Sequence, residues 1–194
     1  AHSELDSGKS IVFVTPDGER TMCTYLGCAG AIEKSDLDPQ IIQDSKVFYI
    51  EGYLWDQKQT IKALKYAIKL AKDNYVKVAF TLSDVFCVEK HREDFTALIK
   101  GHVDIVFANV NELQAFFSED NFKVAVHKAK EFLEKSRCQL IVATCGPKGA
   151  VIITKEKISH VGKSFEIAAQ QGNIIATEVI KSFGARPNIP LILT

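Results

Sequence analysis

Asn109 and Glu112 place an amide and a carboxylate three residues apart, a pair that could bind a metal ion or cap a helix. They follow an apolar run in the stretch FANVNE at residues 107–112. If that run is a buried strand, both side chains can point into a cleft above a sheet, where a carboxylate and an amide oxygen suit a magnesium ion held through water beside substrate phosphates. The same spacing fits a capping box, in which Asn109 caps a helix and Glu112 is its third residue. The spacing alone leaves both interpretations open.

A second candidate is the turn TCGPKG at residues 144–149, which follows the next apolar run. Gly146 and Gly149 allow the backbone to approach a ligand closely, and N–H groups exposed in such a turn can bind phosphate. Thr144 opens the turn. The alternative interpretation is a glycine-containing hairpin turn without a ligand, and the residue types do not decide between the two.

Asp84 ends a third apolar run, directly after Ser83. Its carboxylate could orient a hydroxyl group or a hydrated cation, or it could cap the helix that follows, and the residue type favours the cap. The five histidines show no ligand spacing, and the five cysteines lack paired spacing. We therefore expect neither a zinc site nor a disulfide framework, but free thiols in a reducing cytoplasm.

From residue 46 onward the predicted secondary structure alternates between strands and helices, and the candidate residues lie at the ends of the strands. Continuous apolar runs, which are typical of strands covered on both faces, predict strands at residues 47–50, 76–82, 104–108 and 140–143. Amphipathic stripes predict helices near residues 61–71, 89–99, 111–117, 122–133 and 164–182. The alternation predicts an α/β fold with a mostly parallel central sheet and right-handed crossovers. In such folds ligands bind at the carboxyl ends of the strands.

A β-hairpin precedes this region. Residues 11–14 and 21–26 predict its two strands, because the Pro16-Asp17-Gly18 sequence between them is a turn signal. The chain is therefore divided into a hairpin segment, residues 1–30, and an α/β core, residues 31–194.

Charge and composition exclude two classes of partner. Lys plus Arg and Asp plus Glu each number 24, so the formal net charge is zero. A neutral chain has no electrostatic surface for nucleic acid or for an anionic membrane. No stretch approaches the roughly 18 apolar residues of a membrane span, and no signal peptide is recognisable at the start. Any bound phosphate must be held by local geometry.

In this order, the motifs resemble those of the ribokinase-like family of carbohydrate and nucleoside kinases, also called the phosphofructokinase-B family. The matching segments are residues 14–22 (VTPDGERTM), 107–112, 144–150 and 172–187. The resemblance covers essentially the whole chain and is closest to adenosine-kinase-like and sugar-kinase-like members. It implies a ribokinase-like, Rossmann-type layered fold, in which the hairpin is a small β lid and residues 31–194 are the nucleotide-binding core.

The resemblance also implies an activity, namely ATP-dependent transfer of the γ-phosphoryl group to a hydroxyl of a sugar or nucleoside. ATP and Mg²⁺ are the implied cofactors. Asn109 and Glu112 match the Asn-x-x-Glu motif with which the family arranges magnesium and the phosphates. A non-catalytic nucleotide- or sugar-binding regulator of the same fold is the alternative.

Further site residues follow from the same resemblance. Thr144, Gly146 and Gly149 match the family's nucleotide-binding turn. Asn173 lies on the helix that lines the adenine pocket in relatives, and Arg20 lies in the lid, where some relatives place an arginine near the transferred phosphate. In many relatives the lid covers the substrate and pairs two subunits, which implies a homodimer through the lid.

The chain departs from the family pattern in two places. Relatives carry an amino-terminal portion with further strands, whereas here the hairpin begins almost at residue 1. Relatives also carry a Gly-Ala-Gly-Asp segment that stabilises developing charge and supplies the base. That segment is absent between Val161 and Gly162, so no catalytic residue is assigned. We expect that only the ordered residues of a longer enzyme are represented; a truncated product and a degenerate, non-catalytic relative are the alternatives.

Overall fold

A computed structural model of the chain describes residues 5–18 and 20–160. Within these residues it contains a two-stranded hairpin and a six-stranded sheet. The strands are β1 (Lys9–Val14), β2 (Arg20–Tyr25), β3 (Val47–Glu51), β4 (Lys77–Thr81), β5 (Ile105–Asn109), β6 (Leu140–Thr144), β7 (Ala150–Thr154) and β8 (Ile158–His160). The helices are α1 (Pro39–Gln43), α2 (Lys58–Asp73), α3 (Val85–Gly101), α4 (Val110–Phe117) and α5 (Phe122–Glu134). The helix predicted near residues 164–182 lies outside the described residues.

The six-stranded sheet runs from β3 to β8 in sequence order. Strands β3 to β6 are parallel, and β7 and β8 are added by antiparallel pairing. The predicted α/β fold with a mostly parallel sheet is thus confirmed. Because the parallel strands advance in one direction and their crossovers are right-handed, helices α2 to α5 all lie on one face. The carboxyl ends of β3 to β6 lie together along one side of the sheet, here called the carboxyl edge.

The core lies between the sheet and this single helical layer. Alternate residues of the strands face the helices, and Ile50, Phe80, Val106 and Ile141 are each at most 2% exposed. Phe80 packs edge-on against Phe95, with ring centroids 4.9 Å apart. Burial of such large side chains is the main favourable contribution to folding.

The opposite face of the sheet is open near β3. Val47 and Tyr49 are 48% and 51% exposed, and Phe107 is 37% exposed. The expectation that the apolar runs at residues 47–50 and 104–108 are covered on both faces is therefore wrong for these side chains. The physical reason is the strand order, since each crossover helix among the described residues lies on the other face.

The predicted hairpin is confirmed, with β1 and β2 antiparallel and every residue of both strands exposed. It is anchored to the core at its base, where the hydroxyl of Thr60 donates a hydrogen bond to the carbonyl of Gly30 (2.8 Å). Gly27 has a φ of +55°, and a Cβ there would lie 2.2 Å from the carbonyl oxygen of Asp6. Only glycine fits this close approach at the hairpin base.

The cysteines and the helices bear on the class of protein. The five cysteines are free thiols, and two of them, Cys87 and Cys138, are buried. In the parts of the chain that the structure describes, none of the helices combines the length and the apolar character needed to cross a bilayer.

Candidate functional site

Strands β5 and β6 end side by side at the carboxyl edge. Asn109, the last residue of β5, pairs with Thr144, the last residue of β6. Neighbouring strands lie about 4.8 Å apart, so helix α4 and the turn of residues 144–149 leave the sheet as neighbours. The structure therefore brings the two candidate segments within reach of one ligand.

Asn109 and Glu112 form a capping box at the start of α4. The side-chain oxygen of Asn109 accepts a hydrogen bond from the backbone N–H of Glu112 (2.8 Å). In return, the Glu112 carboxylate accepts from the backbone N–H of Asn109 (3.0 Å) and from its Nδ2 (2.6 Å). The capping interpretation is thus what the structure shows. Because a carboxylate has about four lone-pair sites, the cap leaves acceptor capacity for a ligand.

Burial sets the electrostatics of Glu112, which is only 6% exposed. Burial raises the pKa of its carboxyl group, the hydrogen bonds from Asn109 lower it, and the negative charge of Asp84 raises it further. A cation at the carboxyl edge would offset the desolvation of this carboxylate. Residues 5–18 and 20–160 contain no group of three His, Cys, Asp or Glu side chains that could hold a metal ion. A single carboxylate can bind a Mg²⁺ ion whose other ligands are water and phosphate oxygens.

The turn of residues 144–149 owes its shape to two glycines with positive φ, Gly146 (+56°) and Gly149 (+84°). The N–H of Cys145 donates to the carbonyl of Gly149 (2.7 Å), and the N–H of Gly149 donates to the carbonyl of Gly146 (3.1 Å). A Cβ on Gly146 would meet nothing within 4 Å. The Gly146 N–H has no backbone acceptor among the described residues, so this donor is available for a further hydrogen bond.

Thr144 joins this turn to the neighbouring strand. Its Oγ1 donates a hydrogen bond to the carbonyl of Ala108 (3.3 Å), and the residue is exposed. The hydroxyl group therefore lies between the two candidate segments, where it can also accept a hydrogen bond.

Replacing Gly149 with alanine is expected to lower the free energy of unfolding by about 1–3 kcal/mol, because its φ of +84° and ψ of −131° are strained for a residue with a Cβ. Gly101 is the matched control, since a Cβ there would meet nothing within 4 Å and its φ is not positive. Urea denaturation of both variants measures the difference. Equal stability of the two would show that the turn can adopt another conformation at little cost.

A third polar segment joins the ends of β3 and β4. Ser83 has a φ of +72°; its Oγ accepts from the N–H of Gly52 (2.7 Å), and its carbonyl accepts from the hydroxyl of Tyr53 (3.0 Å). Asp84 caps α3 by accepting from the N–H of Phe86 (2.7 Å), as its residue type favours. Burial and the nearby charge of Asp84 raise the pKa of Tyr53.

A cleft of about 480 Å³ lies between this segment and the base of the hairpin. Its lining combines apolar and polar side chains, including Tyr25, Leu26, Tyr53, Leu54, Asp56 and Gln57. Asp56 accepts hydrogen bonds from Lys90 (2.8 Å) and His91 (2.7 Å), which hold the pKa of its carboxyl below the usual value. Sequence patterns do not reveal this cleft, because its main walls come from two separate segments, residues 24–33 and 53–59, that meet only in the folded chain.

The structure shows no contact of Arg20 with the carboxyl edge, and it does not describe Asn173. Arg20 begins β2 and is exposed, and no side-chain hydrogen bond or ion pair connects it with another described residue. Asn173 lies outside the described residues, as does the junction between Val161 and Gly162.

Known proteins similar to this chain include a family of carbohydrate kinases and individual sugar and nucleoside kinases. A family model described as pfkB family carbohydrate kinase matches residues 2–185. Among solved structures, a "probable sugar kinase protein" from Rhizobium etli CFN 42 is 31% identical with a TM-score of 0.84, over 94% of this chain and 62% of that chain. The adenosine kinase from Sinorhizobium meliloti is 32% identical with a TM-score of 0.82, over 94% of this chain and 63% of that chain.

A curated relative is more distant. Guanosine-inosine kinase from Escherichia coli (strain K12) is 25% identical over 149 residues, which are 73% of this chain and 32% of that protein. The chain thus spans about a third of this relative, and less than two thirds of each of the two solved structures.

Proposed function

Since the chain belongs to the pfkB family of carbohydrate kinases, we propose that it binds ATP with Mg²⁺ and transfers the γ-phosphoryl group to a hydroxyl of a sugar or nucleoside. The family and its neighbours are phosphotransferases that act on sugars or nucleosides. The observation that carries the proposal is the pairing of Asn109 with Thr144 at the carboxyl edge. It makes the two candidate phosphate-binding segments direct neighbours.

The described residues suggest a division of roles. The Gly146 N–H and the open space beside it are proposed to hold a phosphate of ATP, with Thr144 next to it. The free lone pairs of Glu112, kept in place by Asn109, are proposed to bind water ligands of Mg²⁺, which would neutralise charge on the phosphates. An E. coli structure of the same fold, 16% identical with a TM-score of 0.73, contains ATP and Mg²⁺.

The remaining assignments rest on the resemblance. Arg20 is proposed to approach the transferred phosphate and Asn173 the adenine. Phosphoryl transfer relies on positioning and electrostatic stabilisation more than on covalent chemistry of the protein, so residues of this kind can carry most of the catalysis. The free thiols are suited to a reducing cytoplasm, where we propose that the protein works.

The cleft at the hairpin base is proposed to receive the acceptor. Tyrosine rings beside carboxylate and amide side chains suit a ligand that carries both a ring and several hydroxyl groups.

Replacing Tyr53 with alanine is expected to raise the KM for the acceptor roughly 10-fold, because about 1.4 kcal/mol of ring contact is lost. The KM for ATP should stay the same. Tyr75→Ala is the control, since Tyr75 is 96% exposed; an unchanged acceptor KM in Tyr53→Ala would remove the acceptor from this cleft.

A nucleotide- or sugar-binding regulator of the same fold is the second candidate function. One observation favours it, which is that the 194-residue sequence contains no Gly-Ala-Gly-Asp segment. Without that segment the described donors could still bind ATP, but no base is identified to accept the proton of the acceptor hydroxyl.

One experiment separates these candidates. The purified chain is heated with and without ATP and Mg²⁺, and ADP release is then measured with a panel of sugars and nucleosides. At an ATP concentration of about 100 Kd, the kinase and a nucleotide-binding regulator both predict a rise in Tm of roughly 5–10 °C. Acceptor-dependent ADP release supports the kinase, and stabilisation without ADP release supports the regulator. If ATP with Mg²⁺ leaves Tm unchanged, the kinase and a nucleotide-binding regulator are both rejected, and a rise in Tm with a sugar alone would favour a sugar-binding regulator.

A further inference from the structure

Asp56 follows the short turn of residues 52–55 at the end of β3, and two side chains of α3 hold its carboxylate. The ammonium group of Lys90 donates a hydrogen bond to Oδ1 (2.8 Å), and Nε2 of His91 lies 2.7 Å from the same oxygen. An ionised carboxylate only accepts hydrogen bonds, so Nε2 of His91 is the donor. Both contacts use Oδ1. In residues 5–18 and 20–160, Oδ2 has no hydrogen-bond partner.

The backbone beside Asp56 is fixed by the hydrophobic core. Trp55 is 2% exposed. Its ring packs edge-on against Phe80 and Phe95, with ring centroids 6.5 and 6.1 Å apart. The Asp56 carboxylate is therefore positioned from two sides, by a turn that is anchored in the core and by the side chains of a neighbouring helix.

Helix α3 is kinked at the residue that contacts Asp56. His91 has a φ of −121° and a ψ of 20°, which are not helical values. Kinks usually arise at Pro or Gly, or where a side chain or water enters the helix. Residues 85–101 contain no Pro, and Gly occurs only at their last position. The imidazole of His91 contacts both Asp56 and the ring of Phe95, whose centroid is 5.9 Å away. The kink thus coincides with the contact to the cleft wall.

Folding stability does not account for these contacts. The side chains of Lys90 and Asp56 are 46% and 43% exposed, and ion pairs at such exposure contribute little to the free energy of folding. Ordering a long lysine side chain also costs conformational entropy. Asp56 lines the cleft of about 480 Å³ at the hairpin base. The contacts therefore fix a carboxylate in the wall of a cleft more than they stabilise the fold.

We propose that Asp56 selects the acceptor by accepting a hydrogen bond from one of its hydroxyl groups at Oδ2, and that Lys90 and His91 are positioning residues. This inference rests on the proposed function, in which the cleft receives the acceptor. An ammonium group on a ligand would meet the positive charge of Lys90, whereas a hydroxyl group is a neutral donor. The chemical class is a neutral ring with hydroxyl groups, carried by a sugar or by a nucleoside.

Isothermal titration calorimetry without ATP tests the role of Asp56. The probes are adenosine, guanosine, D-ribose and D-fructose, each with analogues that lack one hydroxyl group. Asp56→Asn is expected to weaken binding of the tightest probe roughly 10- to 100-fold, because a hydrogen bond to a charged group is lost. It should leave unchanged the affinity for one analogue, namely the one without the hydroxyl that Asp56 binds.

Glu119→Gln is the matched control for Asp56→Asn. The Glu119 carboxylate also pairs with a lysine, Lys128 (2.9 Å), but it does not line the cleft. This control should leave the affinity for every probe and analogue unchanged.

Substitutions in α3 test the positioning role. His91→Leu and Lys90→Met each remove one donor to Asp56 and are each expected to weaken binding of the same probe roughly 2- to 10-fold, because the carboxylate must then be ordered on binding. His91→Gln keeps an N–H donor and should restore most of the affinity. His127→Leu, on α5, is the control and should change nothing. With ATP present, the acceptor KM should rise in His91→Leu at unchanged kcat.

Each contrary outcome would overturn the inference. An equal loss of affinity for all analogues in Asp56→Asn would mean that the carboxylate only supports the cleft wall. Equal losses in His91→Gln and His91→Leu would mean that the imidazole acts through packing on Phe95. Unchanged binding by Asp56→Asn would remove Asp56 from recognition, and acceptor-dependent ADP release would show that the proposed function stands without it.

Failure of the proposed function gives a different pattern. If the unchanged chain binds none of the probes, both the role of Asp56 and the assignment of the cleft to the acceptor are overturned. The effect of ATP with Mg²⁺ on Tm reports separately on nucleotide binding.

Discussion

Replacing Glu112 with alanine is expected to raise the dissociation constant of ATP with Mg²⁺ by roughly 10- to 100-fold, the usual effect of losing an outer-shell partner of a bound metal ion. Each oxygen of this buried carboxylate already accepts one hydrogen bond from Asn109. Its remaining lone pairs are the ones that a hydrated ion would use. Isothermal titration calorimetry with ATP, at a fixed Mg²⁺ concentration, measures the change.

The same substitution also removes a helix cap, so its effect on binding must be separated from its effect on stability. Loss of the carboxylate leaves the N–H and Nδ2 of Asn109 without an acceptor, at a cost of about 1–3 kcal/mol. Asn121→Ala is the control, because Asn121 caps α5 by accepting from the N–H groups of Lys123 (3.0 Å) and Val124 (3.4 Å). It should lower stability by about 1 kcal/mol and leave the affinity for ATP unchanged.

Two results would contradict the role proposed for Glu112. If Glu112→Ala bound ATP with Mg²⁺ as tightly as the unchanged chain, the carboxylate would be a cap only. If Asn121→Ala lost as much affinity as Glu112→Ala, the loss would reflect destabilisation of the fold.

Sequence patterns predicted the strands and helices that depend on residues close together in the chain. The hairpin follows from a Pro-Asp-Gly turn between two apolar runs, and the helices from stripes of apolar side chains that became the buried face of the helical layer. Helix α1 (Pro39–Gln43) was not predicted, because five residues are too few to show a period. Its start signal was present, since Asp38 accepts hydrogen bonds from the N–H groups of Gln40 and Ile41, and Pro39 occupies the first turn.

The candidate site could be predicted only in part. Sequence placed Asn109, Glu112 and the turn of residues 144–149 at strand ends, because polar residues directly followed apolar runs. That β5 and β6 are neighbours depends on strand order, which no local pattern contains. The cleft beside Tyr53 depends on the hairpin base meeting the end of β3, and this contact is also tertiary.

The open face of the sheet illustrates the same limit. An apolar run shows that a strand prefers burial, but it does not show how many faces are covered. Coverage follows from the order of the strands, because four parallel strands that advance in one direction place all their crossover helices on one side. Among the residues that the structure describes, Tyr49 and Phe107 lie on the face opposite these helices, and their exposure follows from this placement rather than from a local feature.

Loss of the Asp104 side chain is expected to be strongly destabilising, since Asp104→Ala should lower the free energy of unfolding by about 3–5 kcal/mol. It is 5% exposed. Its carboxylate accepts hydrogen bonds from the ammonium group of Lys72 (3.0 and 3.1 Å) and from the N–H of Val78 (2.8 Å). Sequence identified Asp104 as the first residue of a strand and gave no sign that Lys72 is its partner.

Two further variants show where that free energy comes from. Asp104→Asn keeps an acceptor for the N–H of Val78 but removes the charge that pairs with Lys72, so it should cost less than alanine. Asp73→Ala breaks the exposed ion pair with Lys69 and should change stability by no more than about 0.5 kcal/mol. Urea denaturation with a constant m-value gives each free energy. A loss below about 1 kcal/mol for Asp104→Ala would mean that water replaces the carboxylate as partner of Lys72 and Val78, and that this end of the sheet is open to solvent.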